Sequence, residues 1–159
     1  MPFAPSDLTL HSPAFEDGGA IPARYTGEAE NVSPPFSWTK VPEGTQAFAL
    51  VCHDPDAPLV TPDGHYGYVH WVLYGIPGDV TDLPEGTGDY VQGVNQTGAP
   101  GYTGPMPPPG HGLHRYFFWL LALKEAPELP PGLDLYGLLA KIEPHVIGMN
   151  RRLGTYQRG

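Results

Sequence analysis

Residues 104–123 read GPMPPPGHGLHRYFFWLLAL, and two halves of opposite character meet in them. Residues 104–112 are almost all proline and glycine, a backbone partly pre-set by fixed φ and partly free to take positive φ. From His114 onward the stretch is a dense aromatic and aliphatic run without a breaker. A run of about ten residues, rich in Phe, Trp and Tyr, suits a buried central strand better than a helix. A rigid loop feeding such a strand presents the first polar residues, His114, Arg115 and Tyr116, at a fixed rim. Alternation along the strand sends His114 and Tyr116 to one face and Arg115 to the other.

Outward from this element the chain reads as further short strands. Residues 8–10 are a first strand, 36–38 (FSW) a half-buried one, and 46–52 a strand buried on both faces. Residues 68–76 (YVHWVLYGI) form another, ended by Pro77-Gly78. Residues 79–109 are long, Gly-rich and expected to be poor in regular structure, the kind of segment that is functional when it sits inside a compact domain. The single good helix spans residues 134–143. Asp134 caps it, Leu135, Leu138, Leu139 and Ile142 form one face, and Pro144 stops it. Residues 145–156 read as the closing strand.

Length and composition bound the answer. The 159 residues suffice for one domain, 1–159, with a real core. Glycine and proline, 21 each, point with the 11% aromatic content to many short strands joined by turns. A net charge of −9 argues against nucleic acid or an anionic membrane face as partner. The lone cysteine, Cys52, excludes an internal disulfide. With no signal-like N-terminus and no run long enough to span a bilayer, it suggests a cytoplasmic protein.

Five of the seven histidines, His53, His65, His70, His111 and His114, fall between positions 53 and 114, beside Asp54 and Asp56. Loops at strand ends carrying acids and imidazoles can converge on one pocket. Each residue also has a plain reading. Asp54 and Asp56, flanking Pro55, can bond their own backbone in a turn. His70, inside an apolar strand, can be a satisfied core histidine, and Arg115 a partner in a structural ion pair. Cys52 reads as a buried structural thiol. The four serines all precede position 40 and none lies in a G-x-S-x-G turn. No phosphate-cradling P-loop or dinucleotide fingerprint occurs, and no H-x-x-x-H or C-x-x-C spacing suggests a metal.

DPDAP at 54–58, HWVLYGIP at 70–77 and GPMPPPGHGLHRYFF at 104–118 resemble the conserved segments of the phosphatidylethanolamine-binding protein family, in particular its bacterial, Raf-kinase-inhibitor-like branch. The likeness extends to residues 12–38, to LPEGTG at 83–88 and to GTYQR at 154–158. It implies a mainly β fold, a Greek-key antiparallel β-sandwich with small peripheral helices. It also implies an anion-binding pocket lined by Asp54, Asp56, Pro58, His70, Gly104, Pro105, His114 and Tyr116. A cis Ala57–Pro58 bond and a homodimer are further implications. Bacterial relatives often carry cysteine where this chain has Gly27 and Met106, so thiol chemistry at those positions cannot apply here. Thr103 stands where glycine is common.

The resemblance suggests a binding protein without a cofactor rather than an enzyme. Its ligand would be a phosphate-containing small molecule or a phospholipid head group, and regulation by inhibiting a protein partner such as a kinase is a further implication. His70 and His114 would donate to phosphate oxygens, and N–H groups around Gly104 would complete a cradle. The aspartates would orient the imidazoles or meet an ammonium group. The alternative is a metal-dependent or His/Asp acid–base enzyme using the same pocket.

Overall fold

The computed structural model describes residues 3–57 and 67–159 and is mainly β, with two sheets and one short α-helix among those residues. In chain order the strands are β1 (Thr9–His11), β2 (Gly19–Ala20), β3 (Phe36–Thr39), β4 (Ala47–Asp54), β5 (Tyr68–Pro77), β6 (Asp82–Leu83), β7 (Val91–Gln92), β8 (His114–Leu123) and β9 (Val146–Tyr156). The helix α1 (Leu135–Ile142) precedes β9. The larger sheet has the order β2-β9-β8-β4-β5-β7 and the smaller β1-β3-β6.

Period-two alternation sorts the side chains of the large sheet. Phe48, Leu50 and Cys52 of β4 and Tyr116, Phe118, Leu120 and Ala122 of β8 face the small sheet, with Leu10, Phe36, Trp38 and Leu83 opposite. Ala49 and Val51 of β4 and Leu121 and Leu123 of β8 face the helix side, meeting Leu138 and Ile142. Because both faces of β4 and β8 are covered, these strands read as unbroken apolar runs. Phe118 is fully buried, its ring 4.9 Å from Phe36 and 5.8 Å from Phe15.

The helix begins where Asp134 accepts a hydrogen bond from the Gly137 N–H at 2.7 Å, the N-cap expected from the sequence, and Pro144 follows in a 3₁₀ turn. Residues 79–109 are poor in regular structure, as expected, holding only β6 and β7, two residues each and too short to carry a period. One expectation needs correction: the large sheet is not wholly antiparallel, since β2 runs parallel to β9. The cause is a segment crossing the edge of β9 as it turns through Gly18, at φ 81°. It seats Ile21 on Gly154, where an added Cβ would lie 2.5 Å from Ile21 Cγ1.

β4 runs antiparallel to both β5 and β8. The C-terminal end of β4 therefore shares one sheet edge with the beginnings of β5 and β8, and Asp54, His70 and His114 are brought together there. Truncating Phe118 to Ala is expected to cost about 3–5 kcal/mol, the usual range for an aromatic core deletion. The denaturant midpoint of unfolding measures it.

Candidate functional site

The inner face of the large sheet continues past the small sheet, and there it carries polar residues. Asp54 follows Cys52 on that face, and His114 and Tyr116 precede Phe118. His70 reaches it by a different device. Cys52 pairs with Trp71 but His53 with Val69, so His70 is the extra residue of a β-bulge, which lets it share the inner side with Trp71. Alternation alone would place it opposite.

Asp54 is 1% exposed and both its oxygens are used. Oδ1 accepts the Asp56 N–H at 2.7 Å, the turn the sequence suggested. Oδ2 lies 2.7 Å from His114 Nδ1. Burial pushes the Asp54 carboxyl above the usual carboxylate range, and the bonds from His114 and Asp56 pull it back. Since Oδ2 accepts, His114 Nδ1 carries the proton. His114 Nε2 is in turn 2.7 Å from Nδ1 of His111, an exposed residue of the Pro/Gly loop. Carboxylate, buried imidazole and surface imidazole thus form one chain.

His70 is fixed differently. Its Nδ1 lies 2.6 Å from the Thr103 carbonyl, which only accepts, so Nδ1 is protonated and Nε2 keeps its lone pair. Burial, against a smaller opposing effect of the Thr103 bond, lowers its pKa to about 4. At neutral pH His70 therefore offers an acceptor, not the donor expected from sequence. The Gly104 cradle is also altered. Thr103 N–H goes to the His70 carbonyl at 2.9 Å and Gly104 N–H to Asn31 Oδ1 at 2.7 Å, so both donors are spent within the protein.

These groups line a cavity of about 390 Å³ with Tyr68, Tyr116, Ala57, Met106, Pro107 and Pro108 among its walls. Of the residues singled out from sequence, Asp54, His70, Gly104, His114 and Tyr116 line it. Pro105 is buried beneath the loop, its carbonyl bonded by the Gly27 N–H at 2.9 Å. Asp56 turns to Arg115, with contacts of 2.7 and 2.8 Å to the guanidinium that hold its carboxyl below the usual range. Pro58, with the Ala57–Pro58 bond, lies outside the described residues, as does His65. Cys52 is buried, which pushes its thiol pKa well up.

Sequence reasoning noted His111 in the histidine cluster but left it out of the ligand set, and missed the buttress of residues 25–31. There Tyr25 O accepts from Tyr102 OH at 2.6 Å, Gly27 abuts Met106, and Asn31 holds Gly104. Asn31 takes φ 58°, a conformation asparagine tolerates better than most residues. Gly104 must lack a side chain, because a Cβ would sit 2.3 Å from Tyr25 O. From the other side, Arg158 bonds the Pro107 carbonyl at 3.2 Å, accepts the Gly110 N–H and pairs with Glu28 at 3.0 Å. The only signal was the resemblance of 12–38 and 154–158, which names segments without assigning them work.

Among the described residues no group of three or more His, Cys, Asp or Glu side chains is arranged to hold a metal ion, and no helix is long and apolar enough to cross a membrane.

Asn31→Ala removes the Gly104 acceptor and puts alanine at positive φ, so a loss of about 1–3 kcal/mol is expected in thermal unfolding. His70 makes a pH prediction. Unfolded, it binds a proton near pH 6.5, whereas folded it resists until about pH 4. The unfolded chain thus binds more protons between those values, and stability falls as pH drops through them, by up to ~3 kcal/mol. Asp54, shifted up, acts with the opposite sign. Denaturant unfolding at pH 7 and 4.5 should therefore show a larger loss for wild type than for His70→Gln.

Comparison with known proteins agrees with this architecture. The family model described as phosphatidylethanolamine-binding protein matches residues 11–157. A UPF0098 protein of Methanothermobacter thermautotrophicus is 43% identical over 159 residues, covering 96% of this chain and all of the relative. Among solved structures, CT736 of Chlamydia trachomatis, described as a phosphatidylethanolamine-binding protein homolog, is 34% identical with a TM-score of 0.87, covering 96% of this chain and 98% of that one. YbcL of Escherichia coli, described as a member of the mammalian family of that name, is 28% identical with a TM-score of 0.87, over 97% of this chain and all of the other.

Proposed function

The chain belongs to the phosphatidylethanolamine-binding protein family, and on that premise we propose that it binds a small phosphate-bearing molecule or head group in the cavity at the β4–β5–β8 edge. The observation that carries this is the Asp54–His114–His111 chain in a cavity otherwise walled by tyrosine, proline and methionine. A buried carboxylate stabilises positive charge on His114, and an imidazolium beside an apolar wall attracts a tetrahedral anion strongly because water is excluded.

His70 narrows the ligand. As a neutral acceptor it repels an unprotonated phosphate oxygen and welcomes a donor. A monoprotonated phosphate or an ammonium group beside the phosphate supplies one. Volume agrees, since about 390 Å³ lies within the range of small-ligand sites and leaves room for an apolar or cationic appendage. Asp56, committed to Arg115, orients the DPDAP turn and does not face the ligand.

Regulation of a protein partner such as a kinase, with the cavity as the ligand-controlled part, is the role we attach to this binding, and a homodimer is its expected form. An acid–base enzyme is the second reading, favoured by the Asp54–His114 pair, which is also the arrangement that moves protons in catalysis.

The test is calorimetric titration with inorganic phosphate and with O-phosphoethanolamine at pH 6. Saturable binding of both, at least tenfold weakened in His114→Ala and tighter for the zwitterion, is expected. No heat from either ligand would overturn the proposal. Turnover of an aryl phosphate by the wild type, lost in His114→Ala, would replace binding by catalysis.

A further inference from the structure

His111 is exposed, and its backbone N–H bonds the Pro108 carbonyl at 3.1 Å. Its neighbours Gly110 and Gly112 take φ of 74° and 91°, with open space where a Cβ would lie, and its ring meets His114, centroids 5.0 Å apart. Yet its Nδ1 occupies the one nitrogen of His114 that Asp54 leaves open toward the cavity. An anion that seeks His114 Nε2 meets His111 there first.

The geometry points to His111 as a displaceable occupant of the pocket, an internal contact that closes the site and is released when the imidazole pair gains a proton. This rests on the anion-binding reading of the cavity. The arithmetic is one of donors. Asp54 fixes a proton on His114 Nδ1, so a contact of 2.7 Å between His114 Nε2 and His111 Nδ1 requires one proton between two nitrogens. A second proton makes both nitrogens donors, and two imidazolium N–H groups cannot share that separation. The pair then parts, the His111 ring swings outward while the Gly110 N–H stays on the Arg158 carbonyl, and the Nε2–H of a cationic His114 is left open to the cavity.

The other titratable groups around the pair set the direction. Asp54 on β4 favours the doubly protonated state, and Asp56 in the turn after it acts in the same sense although Arg115 pairs with it. His70 and Tyr68 on β5 and Tyr116 on β8 stay uncharged near neutrality and do not oppose it. Arg158, after β9, would disfavour a second cation, but Glu28 pairs with it. Closure therefore holds while one proton is shared between the two nitrogens and is lost once a second is bound. Anion affinity should accordingly rise as pH falls, by up to tenfold per pH unit, one proton being taken up with the ligand.

The experiment uses inorganic phosphate as probe, from pH 8 to 5, with wild type, His111→Ala and His111→Gln. At pH 7.5 His111→Ala should bind about fivefold tighter than wild type, the equivalent of one competing hydrogen bond of ~1 kcal/mol, and the advantage should vanish at pH 5. His111→Gln, which can keep either polarity of the contact, should stay closed and lose the steep pH dependence that wild type shows relative to it. Ligand-free backbone amide shifts of Gly110, Gly112 and Leu113 should move with pH in wild type and not in His111→Gln. Binding by His111→Ala that is equal to or weaker than wild type at pH 7.5 would make His111 a ligand or a bystander and overturn the inference, as would amides that do not move. A pH-dependent loop without phosphate binding would instead uphold the contact and sink the anion-binding reading.

Discussion

A carboxylate buried to 1% exposure must have both its oxygens hydrogen-bonded, or the folded state bears a cost of several kcal/mol. Asp54 meets that demand with the Asp56 N–H on one oxygen and His114 on the other, and the arrangement of the site follows. The first bond closes the turn after β4. The second fixes the tautomer and ring plane of His114. Both depend on the antiparallel pairing of β4 with β8, which brings the end of one strand beside the start of the other. Arg115, pointing outward from the same strand, clamps Asp56 and keeps the turn from drifting.

Around this pivot the cavity is assembled from parts distant in sequence. Residues 25–31 hold the 102–106 segment from below, and Arg158 holds the 107–110 segment from the side. Their hydrogen bonds consume donors that would otherwise face the cavity. What remains toward a ligand is a small and contrasted set: an imidazole acceptor at His70, an imidazole pair at His114 and His111, and the phenol of Tyr116, whose proton burial secures. Such a set discriminates by protonation state as much as by shape.

The large elements were legible because the chain repeats their period. An uninterrupted apolar run rich in aromatic and β-branched residues reads as a doubly covered strand at the lengths of β4 and β8, and the Asp134 cap with its 3.6-residue apolar face marks α1. The opposite faces of His114 and Arg115, and the ion pair of Arg115, followed from alternation. Alternation failed at His70, since a bulge shifts one side chain across the sheet and leaves no mark in the residue types around it. β2, β6 and β7 were invisible because two residues have no period. Asn31 and Arg158 were unreadable because their partners are 73 and 51 residues away. That His70 accepts and Gly104 does not donate depends on which carbonyl or amide each group meets, and only the fold decides that.

A ligand entering the cavity meets a neutral acceptor, His70, beside an imidazole whose tautomer Asp54 fixes. Long-range proton–nitrogen NMR of the histidine rings, with and without O-phosphoethanolamine, tests it directly. His70 should keep its Nδ1–H tautomer from pH 8 to 5, His114 should show its proton on Nδ1, and the ligand should shift Nε2 of both rings. A His70 ring that protonates near pH 6.5, or a His114 ring with its proton on Nε2 alone, would contradict it.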